Sequence, residues 1–525
     1  MSAGAWISGS VLGVALVGAY VAQMVRWLRV LQREHYEPSS MRRFLGRWST
    51  PQVAAAKSPE RSKERRPITL SHMLVVVLVV ATVLRVDILV VLVTVLYGVF
   101  CPQGLSMKGR TSKLQWTRRL TLTAIAAAII SVAIGMTGLF TTRPWLVFVA
   151  MVWAVPVMLD VTSRLLGPYE RHHSRKFIDE AAARLAKVKP RIVAITGSYG
   201  KTSTKNHLAD LLRPDGGVVA SPRSFNNRSG LSRAINENLV DGTRVFIAEM
   251  GTYGPGEIRE LCSWCPPELA VVTAIGPVHL ERMKSLEVIE QAKYEVTERA
   301  ATVVVNIDDQ RLFRWVERLT GEGKRVRTAG STAATASVRV IPQGAKWSVV
   351  VDGVTVVNAD VVSGIQATNL ACAIAAALEL GLGVDQVAAR VGLVETVANR
   401  SNVVTAPSGV VVIDDTFNAN PASALAALTL LGSLAISGRR VVVTPGLVEL
   451  GDEQYRANME LGRKAASVRA TLVAVGRTNV KPLQVGYVSP ILRFDTRDEA
   501  VSWARATLVP GDGVLYLNDL PDHYP

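Results

Sequence analysis

The stretch AITGSYGKTSTKNHL, residues 194–208, decides how this chain is read. It follows a short β-forming run, RIVAIT, and opens into a helix-forming run, with Gly200-Lys201-Thr202 at the junction. Strand, glycine loop and helix form the context a phosphate-binding loop needs. Backbone N–H groups at a helix start, joined by a lysine, hold phosphate oxygens. The familiar spacing G-x-x-x-x-G-K-[ST] would place a glycine at 195, yet that residue is Ile195 and the nearest earlier glycine is Gly197. On residue chemistry alone, Gly197 and Gly200 let the backbone approach a phosphate, Lys201 reaches the terminal phosphates and Thr202 holds Mg²⁺. A chance turn is the competing reading of so short a loop.

Working outward, strand-like runs alternate with helical ones: RVFIAEM, LAVVTAI and ATVVVNI follow the loop. Such alternation predicts a parallel α/β sheet. Over 336–360 the pattern changes to alternation across Asp352-Gly353, a hairpin signal. The helix ATNLACAIAAALELG follows, and near 399 a second series begins: GVVVIDD, a helix over 421–432, RRVVVTPG, a helix over 452–468, ATLVAVG and GVLYLND. The expectation is a central domain over 170–398 and a smaller doubly wound domain over 399–525. Residues 170–190 read as a basic amphipathic helix in which His172 and His173 are surface residues. Cys262 and Cys265 form a C-x-x-C without a second ligand pair, so they read as buried thiols of a cytosolic domain.

The chain of 525 residues is 49% hydrophobic with mean hydropathy +0.25 and net charge +16. The apolar excess lies in residues 1–169. Runs 5–25, 120–140 and 145–161 suit membrane spans, at about 20 residues per crossing. Residues 71–100 are apolar except for Arg85 and Asp87, and read as one long span with a buried ion pair or as two short ones, 71–84 and 87–100. Segment 26–67 carries eleven Lys/Arg against four Asp/Glu, and 102–119 is also basic. Positive flanks stay on the cytoplasmic side, which favours the hairpin. About five spans result, with the N-terminus outside and both α/β domains in the cytoplasm, at the inner membrane. A cleaved signal peptide is the weaker reading of 5–25, because a basic n-region is missing. Topology accounts for the positive charge, so the lipid bilayer is the expected partner and nucleic acid is not.

ITGSYGKTSTKNHL resembles the shorter TGTxGKTT loop of the Mur ligases. SFNNRSGL (224–231), IAEMGTYGPGEI (247–258), VVTAIGPVHLERMKSLEVIEQAKYEV (271–296) and IDDTFNANPASALAAL (413–428) are similar, in the same order, to the MurF branch. The resemblance implies a P-loop-like ATPase domain followed by a Rossmann-like domain, and an ATP-dependent ligase that forms amide bonds through an acyl phosphate in cell-wall peptidoglycan precursor synthesis. It places Gly197, Ser198, Gly200, Lys201, Thr202 and Ser203 on the ATP phosphates, Asn369 near the adenine and Arg400 on the phosphates. It brings Asp415 and Asn418, with Asp414 and Asn420, toward ribose and phosphate from the C-terminal domain, and sets Asn226 and Asn227 near nucleotide and metal. Two Mg²⁺ sites are implied, with Thr202, Glu249, His279 and Lys293 as ligands and Lys293 carbamylated. Lys201, His279, Lys293 and Arg400 are the implied catalytic set.

The chain departs from the branch at both ends. MurF proteins carry a soluble N-terminal domain that grips the UDP end of the substrate; here the apolar region stands in its place. The C-terminus reads GDGVLYLNDLPDHYP instead of a KGS-like element. The expected partners are a peptide-bearing acceptor, UDP-linked or lipid-linked, an amine donor, and cell-wall synthesis proteins. Competing classes are a membrane ATP switch without ligation, a ligase extending another polymer such as polyglutamate, and, more weakly, a transporter.

Overall fold

The computed structural model describes residues 3–34, 36, 41, 44, 70–102, 105, 107, 114–141, 143–222, 225–343, 346–360, 365–395, 402–416 and 419–518. The first helices are α1 (Ala3–Arg33), α2 (Leu70–Val83), α3 (Asp87–Phe100), α4 (Arg118–Thr137) and α5 (Pro144–Val188). Among the described residues, stretches of α1, α4 and α5 are long and apolar enough to cross a membrane. Helices α2 and α3 are shorter, at 14 residues each, or about 21 Å at 1.5 Å per residue. They form a hairpin that turns at Arg85, whose φ is 58°. No buried Arg85–Asp87 pair forms: Asp87 pairs with Arg143 at the start of α5, 3.2 Å away, and Arg85 is exposed in the turn. Val76, Val83, Ile88, Ile129 and Val132 are more than half exposed, an apolar surface of the kind that marks a protein or membrane contact.

Polar groups close the other end of this hairpin. The Gln23 amide donates to the carbonyls of Tyr97, Gly98 and Cys101, and the Arg26 guanidinium donates to those of Gly98, Val99 and Leu105. The Gly98 and Val99 carbonyls are among the last of α3, which lack helical partners and carry the negative end of the helix dipole, while the Tyr97 carbonyl is shared with the Cys101 N–H. Helix α1 approaches α3 closely because Gly98 has no side chain; a Cβ there would collide with Ala19.

Helix α5 is continuous for 45 residues, through Pro156 and Pro168. The boundary expected at 169/170 therefore lies inside one helix, and the amphipathic segment after it is the helix's outer half. Lys189, at φ 51°, ends it, and β1 begins at Arg191.

The central domain contains β1 (Arg191–Thr196), α6 (Lys201–Leu212), β2 (Val218–Ala220), α7 (Arg228–Asn238), β3 (Val245–Glu249), α8 (Glu257–Trp264), β4 (Leu269–Val272), α9 (Leu280–Met283), α10 (Leu286–Tyr294), β5 (Thr302–Asn306), α11 (Gln310–Gly321), β6 (Arg325–Gly330), β7 (Val338–Gln343), β8 (Lys346–Val351), β9 (Val354–Asp360), α12 (Ala367–Glu379) and α13 (Val384–Arg390). Its sheet order is β2-β3-β1-β4-β5-β6-β7-β8-β9. Pairing is parallel from β2 to β7 and antiparallel over β7-β8-β9. The expected turn lies at Asp352 and Gly353, both at positive φ. Continuous Val, Ile and Ala runs suit strands covered on both faces. One face packs on α7, α8 and α11, the other on α6 and the alanine-rich α12. After β1 the chain passes to β2 and β3 on one side before returning to β4 on the other. Such a switch point opens a crevice beyond the carboxyl ends of the strands.

The C-terminal domain contains β10 (Asn402–Thr405), β11 (Val411–Asp415), α14 (Pro421–Ser433), β12 (Arg440–Thr444), α15 (Gln454–Ser467), β13 (Ala470–Val475), α16 (Val480–Tyr487), β14 (Leu492–Phe494), α17 (Arg497–Thr507) and β15 (Gly513–Leu517). Its sheet order is β10-β11-β15-β12-β13-β14, parallel except for β10 against β11.

Candidate active site

The loop 197–200 leaves β1 at the switch point. Gly197 has φ 150° and Gly200 φ 80°, the left-handed region that favours glycine. A Cβ on Gly197 would overlap the Thr273 hydroxyl after β4, and one on Gly200 would overlap the Asn369 side chain. The cradle is thus closed on both sides, and Asn369, buried on α12, lies directly against the phosphate loop. The Ser198 hydroxyl donates to the Gly276 carbonyl at 3.0 Å, and the Gly276 N–H returns a bond at 2.9 Å. The Lys201 ammonium donates to the Gly197 carbonyl at 2.7 Å, inside its own loop.

Below the loop is a buried polar cluster on Glu249, the last residue of β3. Its carboxylate accepts from the Thr202 hydroxyl at 3.0 Å and the Asn226 amide at 3.2 Å, and lies 3.2 Å from the Lys205 ammonium. Lys205 and Glu249 are 2% and 3% exposed, so neither charge has water to rely on. Burial alone would raise the Glu249 pKa; Lys205, Lys201 and the two hydrogen bonds outweigh it and hold the pKa below its ordinary value. Lys205 was not anticipated from the sequence. Its one signal is its place four residues after Lys201, on the same face of α6.

His279 occupies a second cluster. It sits at φ 56° just before α9. Its Nδ1 is 2.6 Å from the carboxylate of Glu449, which comes from the C-terminal domain. The Tyr253 ring packs edge-on at 4.7 Å, and Arg282 covers the other part of that ring at 4.6 Å. Arg282 is in turn 2.9 Å from Glu34, the residue that follows α1, both being 7% or less exposed. Val448, next to Glu449, packs on the α1 core of Trp27, Leu28 and Leu31. Bundle, central domain and C-terminal domain therefore meet at the His279 loop. Neither Glu449 nor Glu34 carried a motif signal.

Lys293 is buried on α10 and makes no ion pair among the described residues; burial first, and Lys201 second, push its pKa well down. Thr202 and Ser203 are buried at the start of α6, and Asp415 ends β11 in the buried interior of its domain. Asp414 accepts from the Thr416 hydroxyl and Asn420 caps α14; Asn227 caps α7. Arg400 and Asn418 lie outside the described residues. The C-x-x-C thiols are buried and unpaired with each other, with burial raising the Cys262 pKa to about 12.

The fit to ATP and Mg²⁺ rests on these donors. The glycine cradle suits a polyphosphate. Mg²⁺ keeps waters and is bound by one or two carboxylates plus substrate phosphates, a role open to Glu249 and Thr202. With His279 Nδ1 engaged by Glu449, its Nε2 is the nitrogen left for a metal, the usual carboxylate–histidine arrangement. Among the described residues no three His, Cys, Asp or Glu side chains converge as a closed metal cage.

A phosphate loop at the switch point of one α/β domain, facing a second α/β domain that contributes Glu449, defines a nucleotide-dependent enzyme of two catalytic domains. Residues 195–377 match the family described as Mur ligase middle domain, and 399–517 the Mur ligase, glutamate ligase domain. The UDP-N-acetylmuramoyl-tripeptide–D-alanyl-D-alanine ligase of Mycobacterium tuberculosis is 32% identical over 371 residues, covering 65% of this chain and 72% of that one. MurF of Thermotoga maritima in complex with ADP is 25% identical with TM-score 0.57, covering 66% of this chain and 80% of that one. A MurF structure from Acinetobacter baumannii, at 23% identity and TM-score 0.57, shares the fold over 66% and 77%. This chain belongs to the Mur ligase family and is MurF-like, an ATP-dependent carbon–nitrogen ligase.

Proposed function

We propose that this chain is a membrane-embedded, MurF-type ligase that activates a carboxylate of a peptide-bearing wall precursor and joins it to an amine, the dipeptide D-alanyl-D-alanine by analogy with its relatives. Helices α1–α4 and the first half of α5 lie in the inner membrane, both catalytic domains face the cytoplasm, and the acceptor is lipid-linked. The observation that carries the membrane reading is the contact of the bundle with the His279 loop, through Glu34 and Arg282. That contact supports a reading in which the reacting end of the site lies beside the membrane helices.

A carboxylate is a poor electrophile at neutral pH. Transfer of the γ-phosphoryl group of ATP makes an acyl phosphate, and the amine then displaces phosphate. Lys201 leaves the Gly197 carbonyl to meet the phosphates, offsetting charge that builds during transfer. Glu249, held ionised by Lys205, orients Thr202 and Asn226. Mg²⁺, when bound, would neutralise phosphate charge near Thr202, Glu249, His279 and Lys293. Burial lowers the Lys293 pKa and so favours the neutral amine, the form that takes up CO₂, which supports its carbamylation. Arg400 and Asn418 are proposed to join from the interdomain segment and the C-terminal domain.

The test uses purified full-length protein with ATP, D-alanyl-D-alanine and either the soluble UDP-muramoyl tripeptide or its lipid-linked counterpart in nanodiscs. Amine-dependent phosphate release is expected with the lipid-linked acceptor. Turnover of the soluble nucleotide alone refutes the lipid reading, and phosphate release indifferent to the amine refutes ligation. Lys201→Ala is expected to abolish activity, one such contact being worth about 3–4 kcal/mol of barrier; near-normal turnover in it sinks the assignment.

A further inference from the structure

Where α5 runs onto the central domain there is a cavity of about 380 Å³ lined by Pro168, Arg171, His172, Arg175, Arg228 and Glu260. Three guanidinium groups face one carboxylate there, a surplus of two positive charges before His172 is counted. Arg228 is half committed: its Nη1 pairs with Glu260 at 2.9 Å and its Nη2 donates to the Arg171 carbonyl at 3.3 Å, while its buried Nε has no hydrogen-bond partner among the described residues. Arg171 and Arg175 are one turn apart on α5, so both project to one side of the helix.

The depth of the cavity is set by the bundle. Arg119, at the start of α4, pairs with Glu170 at 2.7 Å, and Arg118 lies 2.8 Å from His173. Leu120 begins the apolar run of α4 immediately after Arg119. Residues 170–175 are therefore level with the point where α4 leaves its hydrocarbon, the headgroup layer of a bilayer around α1–α5. On the other side, Arg228 is two residues from Asn226, whose amide donates to Glu249. The cavity thus lies at the level of the membrane interface proposed above, and one of its lining residues, Arg228, is joined through Asn227 to the Asn226 that bonds Glu249.

We infer that this cavity binds the diphosphate of a membrane-borne acceptor, with Arg171, Arg175 and Arg228 as its donors. Guanidinium forks match phosphate oxygens in geometry as well as charge, and a diphosphate at headgroup depth is the anion such a site would meet. The inference deepens the lipid-linked reading above and rests on it for the identity of the ligand. Arg228 would read the anion while its neighbour Asn226 supports the carboxylate of the catalytic cluster, so one turn of chain links acceptor binding to the reacting end.

The test is direct binding by the full-length protein in phosphatidylcholine nanodiscs, with a polyprenyl diphosphate added to the lipid and, in a second arm, inorganic pyrophosphate or UDP added to the water. The wild type is expected to retain the polyprenyl diphosphate and to release it to inorganic pyrophosphate only at large excess. Arg171→Gln with Arg175→Gln, both on a helix that neither change interrupts, should weaken retention by about tenfold or more, charge-assisted bonds being the stronger kind. ATP affinity in the same variant should stay unchanged, which shows that the domains are folded. Equal retention by variant and wild type overturns the inference, as does tighter binding of water-phase UDP than of the lipid. If ligation proves to use only the soluble acceptor, the lipid-linked reading fails on that assay, while this binding measurement still decides the cavity.

Discussion

Replacing Lys205 by methionine isolates what the buried ion pair contributes. Methionine keeps the stem volume and the helix propensity of lysine, so α6 is not weakened locally. What is lost is the ammonium 3.2 Å from Glu249, with both groups at 3% exposure or less. Breaking a buried pair by removing one partner costs about 3–5 kcal/mol, because the other charge stays buried. For a domain of this size each kcal/mol moves the midpoint by roughly 2–4 °C, so a fall of roughly 10 °C is expected at pH 7.5. The pH dependence carries the sign. In the wild type the Glu249 pKa is held down, so the stability it contributes is present above the ordinary carboxylate pKa of 4.5 and is lost as pH falls through the lower folded value. In Lys205→Met the largest cation is gone and burial pushes the pKa up instead. The variant is then penalised most at neutral pH, and protonation relieves it on acidification. Thermal unfolding of both proteins in detergent at pH 7.5 and pH 5 measures this, and the gap should narrow at pH 5. Lys205→Met with Glu249→Gln should recover most of the loss, since replacing both partners leaves no unpaired charge. A single variant as stable as wild type at pH 7.5, or a deficit that widens in acid, would refute the reasoning.

Gly200→Ala should lower ATP affinity more than tenfold by calorimetry: a non-glycine residue at φ 80° costs roughly 1–2 kcal/mol, and its Cβ displaces Asn369. Glu34→Gln removes the negative charge 2.9 Å from the buried Arg282 guanidinium; at about 3–5 kcal/mol for a broken buried pair, amide exchange over 279–284 should rise by roughly a hundredfold or more, and unchanged protection there would show that the bundle does not hold the His279 loop. His207 is buried with both ring nitrogens lacking hydrogen-bond partners among the described residues, and burial lowers its pKa from 6.5 to about 4. The unfolded chain therefore takes up a proton first as pH falls from 6.5, and stability drops by up to about 3 kcal/mol by pH 4; His207→Leu should flatten that slope in denaturant titrations.

The sequence resolves what is local or repetitive. Strand alternation, the Asp352-Gly353 turn and the Gly197–Thr202 loop are each written in a few contiguous residues, and they stand where those residues put them. The extent of α5 was not legible, because Pro168 signals a break that packing against α7 on one side and α4 on the other overrides. Nor were Lys205, Glu449, Glu34 and Arg228 as members of a site. Each acquires its role from a partner brought near by the fold: Glu34 meets Arg282 across 248 positions of chain, and Glu449 meets His279 across 170. A single sequence contains no local signal for such pairs.

Helix α5 passes from the bundle to β1 with only Lys189 and Pro190 between helix and strand. A catalytic domain joined by a long coil would roam through the cytoplasm and sample solutes by their molarity. This one is mounted on a strut, so for a chain anchored as proposed its site can travel only sideways, at one height above the lipid. The quantity that sets its encounter rate is then the number of acceptors per unit area of membrane. Diluting the lipid phase, with every bulk concentration held constant, should slow it.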